Sequence, residues 1–313
     1  MKNLAKKYKF LIIFLVIIIL LGAGSFVFLK LDGNKSAGDG AQYVIGISIP
    51  DLSDPWQFQM YKDILEEAEK HSNVNIVFND SASSINKQQQ HINNLIIQKA
   101  DIIIIMPVDP EAIAEKMQMV VKRDIPVIIM QRAVDCDYTS FIFTDNYKIG
   151  YAAGEHAKQL LGENGGRILE IQGDPYSYES LQRKAGFNDA IKGTTLKREY
   201  VLVGNWLRDV AYQRLLTEDH FFNPSPDLVF AHNDTMGIGA YMAASEKGLR
   251  LKIIGVDSLP GRNLGLEALQ NGMLTASIEN LTGGKEAIQT AMNILNGIDV
   301  QKNQEIPIAI ITD

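Results

Sequence analysis

One cysteine, Cys136, stands in a chain of 313 residues, so no intramolecular disulfide can staple the fold and the lone thiol is read as having no special role. The five histidines (His71, His91, His156, His220 and His232) are scattered, with no pair at metal-ligand spacing. That excludes the common zinc motifs, and Asp135-Cys136-Asp137 is too short for a calcium loop. No Gly-x-Ser-x-Gly elbow, Walker loop or Gly-x-Gly-x-x-Gly fingerprint occurs, so nucleophilic hydrolysis and nucleotide binding lack their usual parts. Positive charge is also scarce past the N-terminus. Residues 1–40 hold six of the 30 basic and two of the 37 acidic residues, leaving 24 basic against 35 acidic in the body. A body so negative repels nucleic acid and anionic lipid.

The N-terminus holds the longest apolar run. Lys2, Lys6, Lys7 and Lys9 precede residues 10–29, twenty residues without a charge, and Lys30 ends the run. That length spans a bilayer as a helix. A cleaved leader would have an apolar region of roughly 7–15 residues ending at a small-x-small site. Ala23-Gly24-Ser25 offers such a site, but Phe26, Val27, Phe28 and Leu29 continue past it, which favours a retained anchor. The lysine distribution leaves residues 1–9 in the cytoplasm and everything from Lys30 onward outside. Leu21-Gly22-Ala23 is followed by Gly24, where a lipoprotein would need cysteine. Residues 31–41, mostly the small polar stretch DGNKSAGDGA, read as a flexible tether.

From residue 43 onward short β-rich runs alternate with helix-length segments. Residues 43–49, 74–78, 102–106, 127–130 and 141–144 read as strands, with helices over 56–70, 85–99 and 110–123. The rhythm restarts with strands at 167–171, 197–203, 228–231, 252–256 and 276–278. This predicts an α/β protein of two doubly wound parallel-sheet lobes, each sheet covered on both faces. Ligands of open parallel sheets sit at the carboxyl ends of the strands. There the chain places Asp54, Trp56 and Gln57, then Gln131 and Arg132, then Asn233 and Asp234, then Asp257, and finally Asn280. Its only two tryptophans, Trp56 and Trp206, each lie just past a strand.

Planar hydrogen-bonding groups beside indole rings suit a sugar, whose hydroxyls both donate and accept while its C–H faces pack on aromatic surfaces. Each residue also has a plainer use. Trp56 and Trp206 could fill cores, Asn233 and Asp257 could cap the helical segments they precede, and Arg132 and Arg183 could be surface charges. Asn233-Asp234-Thr235 and Asn280-Leu281-Thr282 also read as glycosylation sequons, a pattern too short to carry weight.

Over residues 42–313 the chain resembles the periplasmic sugar-binding family of ribose, xylose and galactose binders and the ligand domains of lactose-repressor-type regulators. Seven islands carry the resemblance, in order: Asp54-Pro55-Trp56; Ile104-Ile105-Met106-Pro107 with Asp109; Ile125-Pro126-Val127 leading to Gln131-Arg132; Thr144-Asp145-Asn146; Arg183 before Gly186-Phe187; Phe230-Ala231-His232-Asn233-Asp234; and Gly255-Val256-Asp257. The resemblance implies a type I periplasmic binding protein with a three-strand hinge, its chain crossing between lobes near residues 145, 280 and 308. One lobe then holds 42–145 and 281–308, and the other 146–280 and 309–313. It implies that Asp54, Trp56, Gln57, Gln131, Arg132, Arg183, Trp206, Asn233, Asp257 and Asn280 form the ligand site, with no cofactor and no catalysis.

The pattern departs from ribose binders. Asp54 and Gln131 stand where those usually have Asn and Asp, Trp56 and Trp206 replace phenylalanines, Met106 an asparagine, and Asn280 a glutamine. Ribose is therefore in doubt, and an aldopentose, D-xylose first, is expected. No DNA-binding helices precede the body. A retained helix without a lipid-attachment cysteine resembles membrane-anchored xylose sensors that pair with a LytS-type histidine kinase, and an ABC importer's permease is the alternative partner. An enzyme acting on the sugar needs a poised acid or base, and Arg132 and Arg183 are expected to keep Asp54 and Asp257 ionised.

Overall fold

The computed structural model describes residues 42–162 and 165–312. The proposed span at 10–29 and the tether lie outside them, and among the described residues no helix is long and apolar enough to cross a membrane.

Five strands open the first lobe: β1 (Tyr43–Ile49), β2 (Val74–Asp80), β3 (Ile102–Ile105), β4 (Val127–Met130) and β5 (Ser140–Thr144). Helices α1 (Pro55–Ala68), α2 (Ile85–Ile97) and α3 (Pro110–Val121) run between them. The chain then builds a second lobe from α4 (Asn146–Leu161), β6 (Gly166–Gln172), α5 (Tyr178–Ile191), β7 (Leu196–Val203), α6 (Arg208–Thr217), β8 (Leu228–Ala231), α7 (Asp234–Glu246), β9 (Lys252–Asp257), α8 (Gly265–Gln270) and β10 (Ala276–Glu279). It returns through α9 (Gly284–Leu295) and β11 (Asn303–Ile306), and ends in β12 (Ile310–Thr312). The sheet orders are β11-β5-β4-β3-β1-β2 and β12-β10-β9-β8-β6-β7.

Continuous apolar strands such as Ile102–Ile105 form because both sheet faces are covered. Strand side chains alternate, so Ile102 and Ile104 pack with Met60 and Ile64 of α1 and Ile288 of α9, while Ile103 and Ile105 meet Ile92 and Leu95 of α2 and Met117 of α3. The second lobe repeats the arrangement. Ile168, Phe230 and Ile254 face α4 and α5, and Leu169, Val229 and Ile253 face α6 and α7. Helices α4 and α5 approach so closely that a Cβ on Gly150 would lie 1.9 Å from the carbonyl oxygen of Arg183, and one on Gly186 would lie 2.0 Å from that of Tyr147. Only glycine permits that separation.

The first sheet is wholly parallel, but β12 runs antiparallel to β10, a departure from the all-parallel expectation. It follows from the short link at residues 307–309, which brings the chain straight from the first sheet to the edge of the second. Residue 145 and residues 280–283 make the other two passages between the sheets.

Candidate ligand-binding cleft

The turns that leave the strands and start the helices are fixed by capping, and the same turns face the cleft. Asp54 caps α1, its Oδ1 accepting from Gln57 N at 2.9 Å, with Pro55 in the first helical turn. Asn233 caps α7 in the same way, accepting from Met236 N at 2.9 Å. Its other end donates from Nδ2 to the Trp206 carbonyl at 3.1 Å. Capping thus leaves each residue beside the cavity.

Asp54, Pro55 and Trp56 from the first lobe and Asn233, Asp234, Thr235, Asp257, Leu259, Leu264 and Gly265 from the second line one space of about 260 Å³, its open mouth included. Trp56 rests against the first-lobe core and donates from Nε1 to the Asn280 carbonyl at 2.7 Å. Asn280 in turn donates from Nδ2 to Asp257 Oδ1 at 3.0 Å. Asp257 has φ +113, a strained value for a side-chain-bearing residue, and it sits at the end of β9 rather than capping a helix.

Arg183 is buried behind this surface. Its Nε donates to Asn146 Oδ1 at 2.9 Å, its Nη1 to the His232 carbonyl, and its guanidinium lies 5.6 Å from the Trp206 ring. The indole of Trp206 lies over Gly173, where a Cβ would come within 2.0 Å of it. Trp206 therefore packs between Gly173 and Arg183, and its carbonyl also accepts from Thr235 Oγ1 at 3.2 Å.

The two glutamines serve the scaffold. Gln57 Oε1 accepts from Asp51 N at 2.9 Å and closes the β1–α1 turn. Gln131, at φ +62, donates from Nε2 to the Thr282 carbonyl at 3.1 Å and accepts from Thr144 N at 3.1 Å, tying two of the interlobe passages together. Arg132 donates from Nη1 to the carbonyls of Pro107 and Val108 at 3.0 and 3.2 Å. From Nε it bonds Glu179 of the second lobe at 2.7 Å.

Arg132 and Arg183 are expected to keep Asp54 and Asp257 ionised, yet both carboxyls are shifted up rather than down. Burial pushes the Asp257 carboxyl up to about 7, against the pull of Arg183 and the Asn280 hydrogen bond. Asp54 is raised as well, by burial first, although the backbone amides of Gln57 and Trp56 oppose it. Asp234 is raised well above its ordinary value by burial and by Asp257, while it accepts from Ser277 Oγ and Ser258 N, both at 2.7 Å. The arginines fall short because Arg132 is committed to Glu179, and Arg183 is itself buried and shared among several acids.

Sequence reasoning missed Glu179, Asn146 and the pair Glu170–His232. Glu179 precedes Arg183 by four residues on α5, so helical spacing alone puts both on one face. Asn146 lay within a quoted island. His232 lay within another island, but Glu170 gave no local signal: 62 residues apart, both are fully buried, with His232 Nε2 donating to Glu170 Oε1 at 3.0 Å. His232 and Arg198 hold the Glu170 carboxyl down to about 2 in spite of its burial.

Comparison with known proteins agrees with this geometry. Residues 45–299 match the model of the periplasmic binding protein domain. The ribose import binding protein of Bacillus subtilis is 27% identical over 89% of this chain and 90% of its own length. A xylitol-binding protein of Mycolicibacterium smegmatis is 26% identical over 82% of this chain and 73% of its own. Among solved structures, the fructose-binding periplasmic domain of a hybrid two-component system superposes with a TM-score of 0.77 at 28% identity, covering 87% of this chain and 91% of that one. An ABC transporter solute-binding protein from Bacillus halodurans with bound myo-inositol gives 0.78 at 26% identity, covering 88% and 96%. A match over most of the two-lobed body, joined to a cleft lined from both lobes, places the chain in the periplasmic binding protein domain family, whose members bind ligands and are not enzymes.

Proposed function

We propose that the protein is an extracytoplasmic sugar-binding protein, anchored by residues 10–29, that takes D-xylose or another aldopentose and signals its closure to a membrane histidine kinase. The observation that carries the reading is the shared cavity, to which one lobe contributes Asp54 and Trp56 and the other Asn233 and Asp257. Carboxylates, an amide and an indole face are what a ring of hydroxyls needs. A ligand touching both walls prefers the closed form and shifts the lobes toward it by its differential affinity. The relatives named above bind ribose, xylitol, fructose or myo-inositol, all small polyhydroxylated molecules. One belongs to a two-component system, which supports the sensor reading. Others belong to importers, which supports the alternative of a substrate-binding component for a sugar ABC importer.

Calorimetry against xylose, ribose, arabinose, glucose and galactose should show one strong binder, xylose. A pocket whose buried polar groups are left unpaired by a missing hydroxyl discriminates by up to roughly 10⁴-fold. Binding by none of the five refutes the sugar class, and ribose as the tightest refutes the reading of the substitutions.

Fractionation tests the anchor. The protein should travel with membranes at its full mass of 34.8 kDa. A soluble form starting near Phe26 defeats that expectation.

A further inference from the structure

Among the groups brought together at the cleft, Arg132 and Glu179 form the ion pair that reaches from one wall to the other. Arg132 follows β4 in the first lobe, Glu179 lies in the first turn of α5 in the second, and Nε and Oε1 are 2.7 Å apart. The two side chains are 22% and 16% exposed. A second interlobe pair, Lys148 with Glu305 at 2.5 Å, has both side chains more exposed, at 54% and 39%, and starts from residues that adjoin the passages at 145 and 307–309. It sits at the hinge and gains little from closure, whereas the first pair spans the cleft.

The base of Arg132 is fixed within its own lobe, because Nη1 donates to the carbonyls of Pro107 and Val108. Its Nε can therefore meet Glu179 only when α5 is brought up to the first lobe.

We propose that Glu179 is a positioning residue of the binding site: it clasps Arg132 across the cleft, biases the ligand-free protein toward the closed form, and holds Arg132 oriented for the ligand. Because the contact exists only when the lobes are together, its free energy enters the closing equilibrium directly. A half-buried charge pair with good geometry is screened less than a surface one and desolvated less than a core one, so it favours closure. The apparent affinity for any ligand of the closed form scales with the fraction already closed. This inference concerns the cleft described above but does not depend on which sugar fills it.

The test is made without ligand, on the full-length chain in lipid nanodiscs. Spin labels at Asn86→Cys and Asp209→Cys, exposed positions on opposite lobes, report the interlobe distance in a Cys136→Ser background. Glu179→Gln keeps the shape and removes the charge, and should lower the closed population by roughly 5- to 20-fold. Arg132→Gln should do the same, and the double variant should lose no more than either single one, since both remove one contact. The closed population of the parent should also fall between about 50 mM and 1 M salt, while that of Glu179→Gln stays flat. A purely structural role for Glu179 gives no such salt response. Distance distributions that are unchanged in Glu179→Gln, or losses that add in the double variant, overturn the proposal, and they do so whether or not any sugar of the calorimetric series binds.

Discussion

Exchange of Asp257 for alanine should weaken binding of the best sugar by roughly 10²- to 10⁴-fold, the range in which a buried charge loses its partner. Asp257 is the strongest acidic influence on Arg183, which has no water to turn to. It also accepts from Asn280, the residue whose carbonyl takes the Trp56 indole N–H. Removing it therefore loosens a chain of contacts from the second lobe through the hinge to the first. Titration calorimetry on the variant measures the loss, and an affinity within about threefold of the parent would remove Asp257 from the site.

The same residue makes the ligand-free protein sensitive to pH, and Asp257→Asn isolates that effect. Folded, the carboxyl titrates at about 7, against 3.8 when unperturbed. The folded state thus holds the proton more tightly. The stabilising contribution is complete below the unfolded value and is lost as pH rises through the folded one. The parent should lose stability relative to Asp257→Asn between about pH 4 and pH 7, by at most about 4 kcal/mol at 1.36 kcal/mol per unit. Glu170, lowered, is present in both proteins and cancels in the difference, whereas Asp234, raised in part by Asp257, is raised less in Asp257→Asn, so the difference reports Asp257 together with its hold on Asp234. Urea melts across that window decide the matter, and parallel curves would falsify the ionisation described here.

A methyl group at Gly173 should cost nearly as much affinity as removing an indole. The added Cβ would lie 2.0, 2.2 and 2.3 Å from three atoms of the Trp206 ring, so the ring must leave its place. With it goes the aromatic face beside Arg183, and the carbonyl that receives Asn233 and Thr235 is disturbed. Gly173→Ala should weaken sugar binding by on the order of 2–4 kcal/mol, comparable with Trp206→Ala. It should also destabilise the fold by about 1–3 kcal/mol through overpacking. Combining the two substitutions separates these effects. Without the indole the methyl group loses its three nearest contacts, so the double variant should be no less stable than Trp206→Ala alone, and its affinity should stay low. Wild-type affinity in Gly173→Ala would show that the Trp206 ring plays no part in recognition.

Much of the architecture was legible along the chain because it depends on near neighbours. Ile102–Ile105 reads as a strand buried on both faces, and Asp54, Asp109 and Asp145 start their helices through capping chemistry that needs only the next three residues, although the sequence reading offered only Asn233 and Asp257 as caps. The positions just past the strands followed from the same rhythm, and Asp54, Trp56, Asn233 and Asp257 do meet at one cavity.

What those positions do was decided by partners far away in the chain. Gln57 and Gln131 stand at strand ends like the others, yet their amides serve a turn and the hinge, because Asp51 lies beside one and Thr282, 151 residues further on, beside the other. Glu179 joins the cleft only because α5 is carried to Arg132, 47 residues earlier. The balance acting on the Asp54 and Asp257 carboxyls was misjudged for the same reason. Sequence places arginines near them, but the protonation state depends on how much water each carboxylate loses and on whether the arginines are already engaged. The sequence by itself determined the strand–helix rhythm and the residues that end each strand, set by local backbone preference and the burial of apolar side chains. Only the tertiary structure decided which of those residues share a cavity, which brace it and which carry charge, because desolvation and long-range pairing exist only once the two lobes have formed.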